Sequence, residues 1–140
     1  MPHRGTMCLL DRMVDWNAER IECVAGGHRD PAHPLRSRSG LMASAAIEYA
    51  AQAAALHGGL LAQACGAAPS PGYLASAREV RLAAWRLDDL PAAASDLVRV
   101  VAERQAGDAA RLLYAFRIEH AGREIASGRL AVVLGVGQPT

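Results

Sequence analysis

The chain has 140 residues, 51% of them apolar, which gives room for one domain spanning 1–140 with one substantial core. With a net charge of +1 and a single Phe, it has neither the field nor the stacking platform of a nucleic-acid-binding protein. The cysteines Cys8, Cys23 and Cys65 are odd in number and far apart, so they indicate neither a disulfide framework nor a zinc site, and a reducing cytoplasm fits best. All 15 basic residues are arginine, which gives any phosphate-facing patch fork-shaped donors. The opening Met1-Pro2-His3-Arg4-Gly5 lacks the apolar core of a signal segment.

In chain order, Leu9–Trp16 has strand-like composition and Asn17-Ala18-Glu19 turns. Arg20–Ala25 alternates polar and apolar residues, as a half-buried strand does. From Arg29 to Ser39, Pro31, Pro34, Ser37 and Ser39 dictate a loop. A helix is predicted from about Gly40 to Leu61 or slightly beyond, stopped by the Pro- and Gly-rich run from Gly66 to Gly72. The apolarity of 41–64 comes largely from Ala, and Glu48, Gln52, His57 and Gln63 interrupt it, so it reads as a buried core helix rather than a membrane span. Four strands follow: Tyr73–Leu82; Leu97–Arg104 after a Pro91 loop; Arg111–Glu119 after a Gly107-Asp108 turn; and Arg123–Leu134 after Ala121-Gly122. Two strands, one long helix and a four-strand antiparallel run make an α+β layout. Small Ala side chains allow a curved sheet to close tightly around the helix, the hotdog arrangement. Its open sheet edges predict edge-to-edge dimerisation.

Glu48 and Gln52 lie one turn apart in the Ala-rich helix, about 40° around its axis from each other. A carboxyl group in such surroundings costs free energy unless it is paired or protonated. Upstream, Gly27-His28-Arg29-Asp30-Pro31 places an imidazole just before the loop leading into that helix. A histidine and a carboxylic acid meeting at an apolar wall can move one proton on and another off a substrate. His33 competes with His28, being closer in sequence to Glu48. His57 lies near the opposite helix face and reads as structural, while His3 and His120 read as terminal and turn residues. No partner base is indicated near Cys8.

Over nearly its full length the chain resembles hotdog-fold 3-hydroxyacyl-[acyl-carrier-protein] dehydratases. Pro2-His3-Arg4 with Leu9-Leu10-Asp11-Arg12 looks like their opening, Gly27-His28 like their catalytic Gly-His, and Ile47-Glu48 with Ala51-Gln52 like their helix signature. Tyr73-Leu74-Ala75-Ser76 with Val80-Arg81 looks like their third strand. The resemblance is closer to the dehydratase-like subfamily of aryl-polyene biosynthetic clusters, for which His28-Arg29-Asp30-Pro31, His33-Pro34-Leu35-Arg36 and Ile47-Glu48-Tyr49-Ala50-Ala51-Gln52-Ala53 look typical. The ordinary dehydratase continues its Gly-His with Phe-Pro-Gly and reaches Pro-Gly just before the helix. Here Arg29-Asp30-Pro31 follows and the gap to Glu48 is longer, so the loop shaping the acyl tunnel is expected to be rebuilt.

The resemblance implies that His28 removes the proton beside a thioester carbonyl and that Glu48 protonates the departing 3-hydroxyl. Each site would then draw His28 from one subunit of a homodimer or heterodimer and Glu48 from the other. Gln52 would orient Glu48, bond a neighbouring strand or touch substrate. Amides at the helix start, from Gly40 to Ala43, would polarise the thioester carbonyl. The implied partner is an acyl carrier protein bearing a phosphopantetheine-linked chain, met by a rim of Arg36, Arg38, Arg78 and Arg81. No metal or redox cofactor is implied. Two further readings share the fold: a catalytically weak subunit completing the site of an active homologue, and a thioesterase.

Overall fold

The computed structural model describes residues 8–66, 72–107 and 111–134, with backbone alone at 72, 73 and 134. The opening Pro2-His3-Arg4, most of the helix-stopping run and Asp108 of the predicted turn lie outside the described residues.

Side chains alternate across a strand, and β5 (Arg111–His120) obeys this along its whole length: Leu112, Tyr114, Phe116, Ile118 and His120 all turn inward. It pairs antiparallel with β4 (Val98–Gly107) on one side and β6 (Arg123–Leu134) on the other. With β1 (Arg12–Trp16), β2 (Arg20–Ala25) and β3 (Gly72–Leu82), they form a six-stranded sheet in the order β1-β2-β4-β5-β6-β3. Consecutive in the chain, β2 and β3 are thus separated by three strands. The connection between them, carrying α1 (Ala46–Ala64), crosses one face of the sheet.

Helix α1 buries Ala46, Tyr49, Ala50, Ala51, Ala53 and Ala54 against Ile21, Cys23, Val100, Tyr114, Phe116 and Ile118. Alanine at most of these contacts brings the helix axis close to the strands, and the sheet wraps it as a hotdog fold requires. This α+β architecture is the one expected from the sequence.

The boundaries differ in informative ways. Helix α1 begins at Ala46 after a single 3-10 turn (Ala43–Ala45), not at Gly40. Gly40 has φ +102° and exchanges backbone hydrogen bonds with Ser37, closing a tight turn. Beyond it, the Leu41 carbonyl and Ala43 amide bond to Leu87 and Trp85 and hold the segment extended. Strand β1 begins at Arg12 rather than Leu9; the buried Leu9 instead gives its amide to the Gln52 side chain.

Candidate active site

Three chain segments meet at one end of the sheet for a reason visible in the register. Ala25 of β2 pairs with Val98 of β4, which pairs in turn with His120 of β5. Residues just after β2, just before β4 and at the end of β5 therefore share one corner. His28, Asp96 and His120 occupy it. His28 and His120 are buried, at 0% and 3% exposure, and their rings meet edge to face with centroids 5.7 Å apart.

Asp96 Oδ1 lies 3.3 Å from His28 Nε2 and 2.7 Å from His120 Nε2. The Arg29 guanidinium grips the same carboxylate with Nε at 2.6 Å from Oδ2 and Nη2 at 2.8 Å from Oδ1. Arg29 is itself pinned by the carbonyl oxygens of Asp88 and Leu90. Its charge and hydrogen bonds hold the Asp96 carboxyl far below the usual carboxylate range, so Asp96 stays ionised. Burial pushes His28 below the ordinary histidine value, against the opposing pull of Asp96. The ring is neutral near pH 7.

A carboxylate only accepts hydrogen bonds, so the His28 nitrogen facing Asp96 carries the proton. A neutral ring with Nε2–H has a bare Nδ1. That atom is buried and has no hydrogen-bond partner among the described residues.

His33 is built differently. Its Nδ1 accepts the Leu35 amide at 3.1 Å, which leaves Nε2 to donate to the Tyr49 hydroxyl at 2.9 Å. Both ring nitrogens are occupied, and burial again favours the neutral form. The ring stacks on Tyr49 and fastens the loop before the helix to α1.

Glu48 lies half-buried in the first turn of α1 and makes no side-chain hydrogen bond or ion pair among the described residues. Within one chain no such bond joins it to His28 or His33. Gln52 is buried, and its Oε1 accepts the Leu9 amide at 2.9 Å, which ties the N-terminal segment to the helix. Gly40 donates to the Ser37 carbonyl, Leu41 to Asp88 Oδ1 and Ala43 to the Trp85 carbonyl, so none of these three is open to a thioester oxygen.

His57 is structural, as expected: Nε2 donates to the Asn17 carbonyl and Nδ1 accepts from the Tyr114 hydroxyl, both at 2.7 Å. Arg36 leaves the expected rim, because it ion-pairs with Asp88. His120, expected as a turn residue, is the last residue of β5, and Asp96 is a site residue that the sequence pattern does not mark. Neither has a local signal, since their meeting with His28 depends on strand register.

The donor atoms of His28, Asp96 and His120 lie within 4.8 Å of one another, a spacing compatible with a metal ion. Arg29 argues against that use. Its cation already covers both carboxylate oxygens, where a second cation would be repelled.

A cavity of about 350 Å³ opens at the start of the helix, lined by Met42, Ser44, Leu82 and Trp85 among others. No helix among the described residues is long and apolar enough to cross a membrane.

The family described as ApeP-like, the ApeP dehydratases, matches residues 1–137 of this sequence. The chain belongs to that family. Among solved structures it is similar to the dehydratase heterocomplex ApeI:P from Xenorhabdus doucetiae, with TM-score 0.81, 23% identity and coverage of 96% of this chain and 87% of that one. It is also similar to thioesterase PA1618 from Pseudomonas aeruginosa, with TM-score 0.56, 16% identity and coverage of 88% and 79%. A third likeness is to the protein SAV0944 from Staphylococcus aureus, with TM-score 0.62, 12% identity and coverage of 88% and 91%. Among curated proteins none matches the chain. Membership of the ApeP-like family makes this a hotdog enzyme of the dehydratase type, and the structural likenesses attest the fold.

Proposed function

We propose that the chain dehydrates 3-hydroxyacyl thioesters carried on an acyl carrier protein, giving trans-2-enoyl thioesters during aryl-polyene or fatty-acid-like chain building. His28 acts as general base. Glu48, from a second hotdog subunit, acts as general acid. The observation that carries this reading is the bare, buried Nδ1 of His28 in a chain of the ApeP-like family, beside a His33 whose two nitrogens are already occupied.

In the reaction, His28 takes the proton from the carbon next to the thioester carbonyl. The electron pair of that C–H bond becomes the new double bond, and the bond to the 3-hydroxyl breaks as Glu48 donates its proton. Water leaves, and solvent returns His28 to neutral and Glu48 to acid. This is proton chemistry and calls for no metal or redox cofactor.

A two-subunit site is supported by the absence of any His28–Glu48 bond within one chain and by the exposed edge of β3, which is 11 residues long. The exposed Arg38, Arg78 and Arg81 suit the phosphate and acidic surface of a carrier protein. The partner is either a second copy or a homologous hotdog subunit, as in the ApeI:P heterocomplex.

The test is turnover of a 3-hydroxyacyl thioester, followed by enoyl-thioester absorbance, for the chain alone and mixed with a homologous hotdog subunit. Turnover by the chain alone supports the homodimer, and turnover only in the mixture supports the heterodimer. Release of free thiol to a thiol-reactive dye, with no enoyl product, would make it a thioesterase. Glu48→Gln is expected to lower kcat by about 10²–10⁴-fold with the dimer intact. Unchanged turnover would remove Glu48 from the mechanism.

A further inference from the structure

Asp96 is a short carboxylate with an unusual load. Its Oδ1 accepts from three side chains, His28, His120 and Arg29, and its Oδ2 accepts from Arg29 again. Arg29 is held from behind by two backbone carbonyls, so the carboxylate cannot swing away without giving up both of its bonds to a fixed guanidinium. The Asp96 side chain is 37% exposed, whereas that of His28 is wholly buried. The arrangement runs from solvent through a fixed anion to an inner ring whose far nitrogen has no partner among the described residues.

We propose that Asp96 is a positioning residue that locks His28 as its Nε2–H tautomer, so that Nδ1 is the atom that takes the substrate proton. This rests on the reading of His28 as the base and deepens it by naming the working nitrogen and what sets it. Were the ring free to place its proton on Nδ1, the inner nitrogen would hold a hydrogen and could not act as a base. A fixed anion at the other end prevents that. Once Nδ1 has taken the proton, the imidazolium lies beside the same carboxylate and is stabilised by it. Arg29 keeps Asp96 ionised throughout, so the proton stays on the ring and does not pass to the carboxylate. His120 donates to the same oxygen at 2.7 Å and gives the carboxylate a further hold.

The first measurement needs no substrate, which separates failure of this proposal from failure of the dehydratase reading. Protein labelled with ¹⁵N-histidine, with the His28 signals assigned by their loss in His28→Gln, reports protonation at each ring nitrogen in long-range ¹H–¹⁵N correlation spectra. At pH 7.5, His28 is expected to show a protonated Nε2 and a bare Nδ1. A proton on Nδ1 in the wild-type protein would overturn the proposal. Because this uses the unaltered chain, it stands even if an Asp96 variant folds poorly. Addition of one equivalent of zinc should leave the His28 and His120 signals in place; joint displacement of both would make the trio a metal site instead.

The second measurement uses the assembled enzyme. Asp96→Asn keeps the shape but removes the charge, and its amide can offer either a donor or an acceptor to His28. Its kcat should fall by about 10²-fold or more with KM within about twofold, and the tautomer signature should be lost or mixed. The groups facing His28 are Asp96, Arg29 and His120, with His33 near enough to act on it through charge. Asp96 favours protonation of His28, so the acidic limb of any remaining kcat/KM profile should move to lower pH. Asp96→Glu should restore part of the rate. Wild-type kcat in Asp96→Asn, or an unmoved acidic limb, would reduce Asp96 to a structural anchor.

Discussion

His28 and His33 come from one loop and are both buried, yet their chemistry differs because of what each nitrogen holds. Leu35 and Tyr49 close both ends of His33. Burial pushes the Tyr49 phenol well above its ordinary value, so the hydroxyl remains an uncharged partner. Tyr49→Phe should therefore leave the His33 N–H buried without an acceptor. The expected cost is about 1–3 kcal/mol of folding free energy, measured by urea denaturation, with kcat within about twofold of wild type. A large loss of kcat at unchanged stability would instead make His33 the reacting ring. The cysteines divide in the same way: burial raises the Cys23 thiol to about 11, which leaves it an inert core residue at neutral pH.

At the scale of elements, the segment from His28 to the first turn of α1 decides where the site's side chains lie, and Gly40 is its tightest point. A Cβ at Gly40 would come within 2.7 Å of Arg86 Nε and 2.8 and 2.9 Å of the Asp88 carboxylate oxygens. That carboxylate also receives the Leu41 amide and pairs with Arg86 and Arg36, so it has no freedom to retreat. Gly40→Ala combines this clash with a strained positive φ. It should destabilise the fold by about 1–3 kcal/mol in chemical denaturation, and a neutral result would show that the knot around Asp88 is loose. This knot also marks where the sequence was legible and where it was not. Apolar alternation in β5 and the Ala-rich run of α1 are local signals, so the elements and their α+β arrangement could be read directly. The helix start was misplaced because Gly40 looks like a helix neighbour until Arg86 and Asp88, far along the chain, close over it. His28, Glu48 and Gln52 stood out as polar groups in apolar or loop settings. Asp96 and His120 did not, since only the pairing of Ala25 with Val98 and of Val98 with His120 brings them to one corner.

At the scale of the whole molecule, burial holds His28, His33 and His57 below the ordinary histidine value of 6.5. The unfolded chain then binds more protons than the folded one as pH drops below that value. Stability should accordingly be flat between about pH 6.5 and 7.5 and decline below that window, by up to about 1.4 kcal/mol per pH unit for each fully linked proton. Urea denaturation at fixed protein concentration between pH 7.5 and 5 checks this, and a shallower slope is expected in His57→Gln. The outer surface makes a separate demand. Trp85 is 87% exposed and stands beside Leu82 at 43% and Met42 at 38%, around the cavity at the helix start. Leu82 ends β3 and Trp85 follows it closely, and the outer edge of β3 has no strand partner among the described residues. An indole so exposed contributes little to the fold of the isolated chain, but a tryptophan packed at the centre of an interface is often worth 2 kcal/mol or more. If the occupant of this face is the second hotdog subunit, Trp85→Ala should weaken assembly by about 10-fold or more, since 1.4 kcal/mol corresponds to one decade in Kd. The unfolding free energy of the dissociated chain should change by less than about 0.5 kcal/mol. Sedimentation across a concentration series, for the chain alone and with a homologous hotdog subunit, reads the first quantity. Unaltered assembly would mean that the second subunit seats elsewhere and that this apolar face serves the acyl chain or its carrier.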